Sequence, residues 1–347
     1  MPVLTHLHIM AEGDNILVTA SDLDLILRVK GKTQVFEEGS IAVPSDPLFR
    51  IIKKMPDGQV SFEEKDRHRI KITCGSAKFD ILGLSGEEFP PFPELTFEKR
   101  FSVSSRTLVT MLEKTMFAAF RKDMGMPHLG GVFLEVAGEN GHGTISMVAT
   151  DGHRLAKVVT PSRNGIPKLT SGIIIPLKGC VELLRMAREA EGDIELGISE
   201  SSLFAGKENE SLVIRLLSGS FPNYRAALGN ITGKVVSSER RPLEECLERT
   251  LVMANDKSRQ VSLKFQDKER LVVHVKNQNL GEAEDTLPLQ SEFEELSVCF
   301  NPDYLLEGLK VMKSRDVEIL LKDSQSPAFI TGKEDEGFSY ILMPMRA

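Results

Sequence analysis

Tryptophan is absent from this 347-residue chain and tyrosine occurs only 3 times. Stacking of single-stranded bases on aromatic side chains is therefore not the obvious mode of action. Cysteine is scarce as well: Cys74, Cys180, Cys246 and Cys299 lie far apart and form no Cys-x-x-Cys pair. That scatter argues against a structural zinc site and a disulfide framework, and it suits a reducing cytoplasm. Long apolar runs are missing. Stretches such as Ile173-Ile174-Ile175-Pro176 are far too short to span a bilayer. No charged n-region, apolar h-region or cleavage site opens the chain, which argues against secretion. Positive charge is in deficit, with 43 Lys and Arg against 50 Asp and Glu and a formal net charge of -7. Such a balance argues against a nucleic-acid binder unless the cations are gathered in one place. What remains is ordinary for a soluble globular chain long enough for two or three domains: 41% hydrophobic and 27% charged residues.

The chain repeats itself. Ala42-Val43-Pro44 leads into Pro47 to Met55 and then Gly58-Gln59-Val60-Ser61-Phe62. Ile175-Pro176 leads into Gly179 to Met186 and then Gly192-Asp193-Ile194-Glu195-Leu196. Phe300-Asn301-Pro302 leads into Tyr304 to Met312 and then Asp316-Val317-Glu318-Ile319-Leu320. Each reads as a strand, a proline-marked helix start, a short amphipathic helix and an alternating strand. Pro44, Pro176 and Pro302 recur at a spacing of about 130 residues, the mark of a repeated architecture. A second helix type recurs too. Ser104 to Lys122 sets Leu108, Met111, Leu112, Met116 and Phe120 on one stripe, and Arg241 to Ala254 does the same with Leu243, Leu247, Leu251 and Ala254. Its counterpart in the first unit would fall before Met1, so the expectation is a first unit without its opening strand and helix. Alternating segments such as Val132–Val136, Thr144–Ala149, Leu212–Leu217, Val261–Phe265, Leu271–Val275 and Ala328–Thr331 read as antiparallel strands. The pattern alone predicts three α+β units, sheets packed on helices.

Helices are expected over 46–54, 104–122, 177–188, 240–254 and 303–315. Taken together they are net basic, while the strands and loops between them are acidic. Arg50, Lys53, Lys54, Lys114, Arg121, Lys122, Lys178, Arg185, Arg188, Lys310 and Lys313 lie mostly off the apolar stripes. Solvated helix faces are the usual explanation of such charges. Repetition favours another: similar helices in similar units place similar charge around one axis. A basic lining inside an acidic exterior would attract duplex phosphates without reading base edges.

Four strings carry a family resemblance: Val148-Ala149-Thr150-Asp151-Gly152-His153-Arg154-Leu155-Ala156, Tyr340-Ile341-Leu342-Met343-Pro344-Met345-Arg346, Ser218-Gly219-Ser220-Phe221-Pro222-Asn223-Tyr224-Arg225, and Leu82-Gly83-Leu84-Ser85-Gly86-Glu87-Glu88-Phe89-Pro90-Pro91. With them the chain resembles, over essentially its whole length, the bacterial replicative sliding clamp, the beta subunit of DNA polymerase III. The resemblance implies three repeated clamp domains at 1–97, 98–222 and 223–347, the first lacking the usual opening strand and helix. Two copies would form a head-to-tail homodimeric ring, with twelve helices lining the hole of a complete ring and antiparallel sheets outside. Such a clamp is a non-catalytic cytoplasmic processivity factor for DNA replication and repair, needs no cofactor and no metal, and touches no membrane. It encircles duplex DNA without sequence preference.

The resemblance also assigns residues. A groove for partner peptides, from the polymerase III catalytic subunit, the clamp loader, other polymerases and repair proteins, would comprise Leu129, Thr150, Gly152, His153, Arg154, Leu155, Pro222, Ile341, Met343, Pro344, Met345 and Arg346. Methionines suit a groove that takes several ligands. DNA would be faced by Lys53, Arg121, Lys122, Lys178 and Arg185. The ring would close where Lys78, Phe79 and Ile81 meet Val252, Met253, Glu282, Glu284 and Asp285, an apolar centre with an opposite-charge rim. Two departures from the family pattern are Ala226-Ala227, where larger residues are common, and Asp46, where a basic residue can stand.

Two other readings stay open at this point. Asp151 and His153 invite a metal-dependent hydrolase, but no further ligands stand at metal spacing. A short Asp-Gly-His turn is more often structural. The other is a clamp-like remnant that binds partner peptides without encircling DNA.

Overall fold

The computed structural model describes the chain except residues 1, 94–96, 98, 122–125, 140–141, 163–168, 170, 230–231, 255–259 and 347. Every strand pairing among the described residues is antiparallel. The α+β class with repeated sheets and helices is thus as expected. Six α helices stand among the described residues: α1 Ser45–Lys54, α2 Ser105–Glu113, α3 Leu177–Glu189, α4 Tyr224–Leu228, α5 Arg240–Leu251 and α6 Pro302–Lys310. None is long and apolar enough to cross a membrane.

The chain divides into two compact units, one from Met1–Ser105 with Glu189–Leu216, the other from Arg106–Arg188 with Leu217–Ala347. In the first, a nine-stranded sheet runs in the order Leu84–Ser85, Gly39–Pro44, His6–Glu12, Asn15–Ser21, Leu25–Lys32, Glu210–Arg215, Ser202–Lys207, Asp193–Ile198, Lys99–Ser104. A three-stranded sheet accompanies it, Val60–Lys65, Arg69–Cys74, Ala77–Leu82. Its core draws on both sheets and on α1, through Ile9, Ile41, Val43, Leu48, Ile70 and Ile72.

The second unit holds a nine-stranded sheet in the order Ile173–Pro176, Gly131–Glu139, His142–Thr150, Arg154–Ser162, Phe338–Leu342, Ala328–Gly332, Asp316–Leu321, Lys234–Glu239, Gln290–Ser291. Beside it lies a four-stranded sheet, Gly281–Pro288, Arg270–Asn277, Val261–Gln266, Glu295–Phe300. The stretch 98–222 therefore gives strands to both units.

Several sequence expectations need correction. The stripe drawn over 104–122 assumes one long helix, but α2 stops at Glu113 and a short 3-10 turn follows at Met116–Ala118. At the break the Thr115 hydroxyl donates back to the carbonyls of Met111 (2.8 Å) and Leu112 (3.4 Å). The phase then slips, so that Phe117 is buried while Met116 and Phe120 are half-buried. Lys114, counted with the outward cations, is buried and donates to Asp335 at 2.7 Å. The helices expected to run to 254 and 315 end at Leu251 and Lys310. The three prolines are not strictly equivalent either. Pro44 and Pro176 close strands, whereas Pro302 opens α6 at a position where its missing N–H costs nothing. Asn301 caps that helix, its side chain accepting from the backbone N–H groups of Asp303 and Tyr304.

Candidate functional site

The tight turn after strand His142–Thr150 is built by its own side chains. Gly152 sits at φ +87, in the left-handed region where glycine carries no Cβ penalty. Asp151 Oδ1 accepts from the N–H groups of His153 and Arg154, each at 3.0 Å. Thr150 Oγ1 accepts from Gly152 N–H at 3.1 Å and donates to the Arg154 carbonyl at 2.6 Å. Asp151 is thereby occupied in shaping the turn, and His153 is left exposed at its tip. Among the described residues no group of three or more His, Cys, Asp and Glu could hold a metal ion. The turn's hydrogen bonds account for Asp151 without chemistry.

From this turn the strand Arg154–Ser162 pairs with the final strand Phe338–Leu342, setting Leu155 opposite Ile341. The pairing continues past the strand, since Met343 N–H donates to the His153 carbonyl at 2.9 Å. Thr150, Gly152, His153, Arg154 and Leu155 are thus brought beside Ile341 and Met343, although nearly two hundred residues of sequence separate them. Beneath lies an apolar floor in which Val148, Leu155, Tyr224 and Ile341 are buried and Phe133, Phe221, Leu228 and Phe329 pack against them. Phe133 and Phe221 stack with centroids 4.7 Å apart and planes 2° from parallel. Tyr224 meets both edge-on at 6.3 Å, a geometry favoured by ring quadrupoles. The Tyr224 hydroxyl donates to Glu135, which also accepts from Arg225 at 2.8 Å. Burial first, and then the Glu135 carboxylate, push the Tyr224 phenol up to about 12.

Gly152, His153, Pro222, Met343 and Arg346 are exposed, and Pro344 and Met345 are half-buried. The tail is tacked down by Met345 N–H donating to the Cys299 carbonyl at 2.7 Å. Leu129 is buried in the 3-10 turn Pro127–Leu129. Arg154 opens the strand Arg154–Ser162. It is 5% exposed and bonded to Asp151, Glu307 and the Phe117 carbonyl. Burial opposes its charge, but Glu307, Tyr340 and Asp151 outweigh burial and hold its pKa above the usual arginine value. Sequence reasoning passed over the aromatic floor. Phe221 and Tyr224 lie inside a quoted string, and Phe133 could have been found as the cross-strand partner of Val148.

The candidate DNA-facing cations are on separate elements. Lys53 is exposed near the end of α1, its ammonium 5.7 Å from the Phe49 ring. Arg121 and Lys178 are exposed, and Arg185 is half-buried on α3 with its Nε 3.1 Å from Glu182. Lys122 lies outside the described residues. Neighbouring cations are partly committed, Arg50 to Asp46, Arg188 to Glu113 and Lys310 to Glu248.

The candidate interface residues occupy two sheet edges. Lys78, Phe79 and Ile81 lie on Ala77–Leu82, an outer strand of the three-stranded sheet, where Phe79 is 36% exposed and Ile81 half-buried. Glu282, Glu284 and Asp285 lie on Gly281–Pro288, an outer strand of the four-stranded sheet. Val252 is 78% exposed, and Met253 is half-buried. Asp285 is not a free acid: Arg249 Nη2 holds it at 2.7 Å.

Comparison with known proteins decides the family. Residues 1–93, 102–223 and 229–346 match, in order, the N-terminal, central and C-terminal domains of the DNA polymerase III beta subunit. The chain belongs to the DNA polymerase III beta subunit family, the beta sliding clamps. It is 30% identical to the beta sliding clamp of Chlamydia pneumoniae, over 100% of this chain and 92% of that protein. The structure of the Pseudomonas aeruginosa DNA polymerase III subunit beta superposes with a TM-score of 0.93 at 30% identity, covering 100% of this chain and 94% of that one. A Bartonella birtlesii sliding clamp bound to griselimycin gives a TM-score of 0.93 at 28% identity, over 100% and 92% of the two chains.

Proposed function

We infer that this beta sliding clamp, a processivity factor of DNA polymerase, acts as a closed ring of two copies joined head to tail around duplex DNA. Each copy would contribute three domains, 1–97, 98–222 and 223–347. The strand Ala77–Leu82 of one copy would lie along Gly281–Pro288 of the other. Both strands are outer strands with backbone groups open to a further partner, and Lys78 faces a set of acids at Glu282 and Glu284. Phe79, Ile81, Val252 and Met253 supply the apolar centre, while Asp285 stays with Arg249.

Within the ring, Lys53, Arg121, Lys122, Lys178 and Arg185 would meet phosphates. Contacts of this kind are weak, sequence-blind and additive in salt dependence, so the ring slides while its topology prevents escape. Partners would dock in a groove floored by the buried Leu155 and Ile341 and bordered by Thr150, Gly152, His153, Pro222, Met343, Pro344, Met345 and Arg346. They would be short apolar-anchored peptides from the polymerase III catalytic subunit, the clamp loader, other polymerases and repair proteins. The chain would work in the cytoplasm, without catalysis, cofactor or metal.

The observation that carries the groove reading is the junction of two distant signature strings, at Leu155 and Ile341, over one aromatic floor. Sedimentation equilibrium tests ring formation, with a mass twice 38.5 kDa expected. Griselimycin titration tests the groove, with Met343→Ser expected to weaken binding. A monomer that still binds griselimycin would replace the ring with the peptide-binding remnant.

A further inference from the structure

Arg154 belongs to the family's groove string, yet its surroundings point to different work. Its Nε donates to Asp151 Oδ2 at 3.1 Å, Nη1 donates to Glu307, and Nη2 donates to the Phe117 carbonyl at 2.6 Å. Its faces are covered as well: the guanidinium carbon lies 4.1 Å from the Tyr304 ring centroid and 5.3 Å from that of Phe117. A guanidinium has five N–H donors in a rigid fork. With three directions filled and the side chain 5% exposed, it cannot swing outward without stranding its partners.

We propose that Arg154 is a positioning residue: it fastens the Thr150–His153 rim to helix α6 and to the Phe117 carbonyl, and it does not itself touch the docked partner. The proposal rests on the groove reading above. The route of action is short. Asp151 holds the rim backbone with Oδ1 and Arg154 with Oδ2, so the same carboxylate that shapes the turn is anchored through Arg154. The anchor at the far end is Glu307, on α6 and half-buried. A second tie closes the circuit, since Tyr340 donates its hydroxyl to the Tyr304 carbonyl on α6 at 2.8 Å, and Tyr340 pairs with Ala156, two positions past the strand start at Arg154. Rim geometry is thereby set by where α6 stands.

The test uses the full chain and griselimycin as probe, with Arg154→Met, Glu307→Ala, Glu307→Gln and the double variant Arg154→Met/Glu307→Ala. Amide hydrogen exchange at Gly152, His153 and Arg154 is read without ligand. Exchange there should quicken by about tenfold in Arg154→Met and in Glu307→Ala, and return towards the parent rate in Glu307→Gln, whose amide oxygen still accepts from Nη1. Griselimycin affinity should fall on the order of tenfold in both single variants, with the double variant no weaker than either, the signature of two residues acting as one. If Glu307→Ala binds and exchanges like the parent while Arg154→Met loses affinity, Arg154 is a direct contact and the proposal is overturned. Unchanged exchange in both variants overturns it as well. Should Met343→Ser leave griselimycin binding unaltered, the groove reading fails instead, and the exchange result alone decides whether Arg154 anchors the turn.

Discussion

Helices α1 and α6 hold the same place in the first and third repeats, yet they live in different surroundings. The register fixes their equivalence: Val43 pairs with Leu7 as Phe300 pairs with Val261, and each pair stands at the strand end that leads into the helix. Counting forward aligns Phe49 with Leu306, Ile52 with Leu309 and Lys53 with Lys310. Leu306 and Leu309 are 7% and 0% exposed, whereas Phe49 and Ile52 are 62% and 42% exposed. The neighbouring strands repeat the contrast. Leu271 and Val273 are buried, and their register equivalents Ile16 and Val18 are half-buried. What differs is α5, which packs on α6 and across Arg270–Asn277 and Gly281–Pro288 in the third repeat. The same amphipathic pattern is thus core in one repeat and surface in another. A helix's apolar stripe declares what it can bury, and its neighbours decide what it does bury.

The charge pairs follow the same division, and they give the largest expected effect. Asp335 in the third repeat is buried and accepts from Lys114, from the Ser314 hydroxyl and from two backbone N–H groups. Burial alone would raise its pKa, but Lys114, Ser314 and those N–H groups more than offset this, and the net shift is downward. Asp335→Asn or Lys114→Met leaves a partner stranded and should cost about 3–5 kcal/mol in urea unfolding. A carboxyl with a depressed folded pKa contributes stability above its unfolded value of about 3.9, and that contribution is lost as pH falls through the folded value. Stability of the parent should therefore drop below about pH 4, and Asp335→Asn should flatten that part of the curve.

Next in size is the matched pair of truncations. Leu309→Ala should cost about 2–5 kcal/mol, because it opens a cavity beneath α5. Ile52→Ala, at the same register in the first repeat, should stay within about 0.5 kcal/mol. Equal losses at both sites would erase the distinction between the repeats. A smaller effect concerns the open face itself. Phe49→Ser with Val29→Ser should lower the binding of a fluorescent apolar dye such as ANS without unfolding the chain, since exposed apolar patches are what such dyes report. Smallest of all is the exposed ion pair on α1. Arg50 and Asp46 are 2.7 Å apart but 70% and 73% exposed, so the double change to alanine should shift stability by less than about 0.5 kcal/mol.

Much of this was legible beforehand. The repeat spacing and the alternating segments located the strands, because a half-buried antiparallel sheet writes its period of two into the sequence. The turn at Asp151-Gly152-His153 was legible from its residue types. Contacts between distant residues were not. Nothing near Lys114 announces Asp335, 221 positions away, so a buried ion pair passed for an outward cation and α2 was drawn too long. The enclosure of Arg154 was hidden as well, because it depends on Glu307, 153 positions on. Phe133 resembled any other alternating core residue until the fold stacked its ring on Phe221. The pairing of Asp285 with Arg249 on α5 was hidden for the same reason.

Ring closure around DNA is tested most directly by topology. The protein, placed on nicked circular duplex by the cell's own loading machinery and freed of unbound copies by gel filtration, is divided and one half of the DNA is cut once. A closed, sliding ring stays on the intact circles and runs off the linear molecules. Equal loss from both, or equal retention on both, would contradict encirclement.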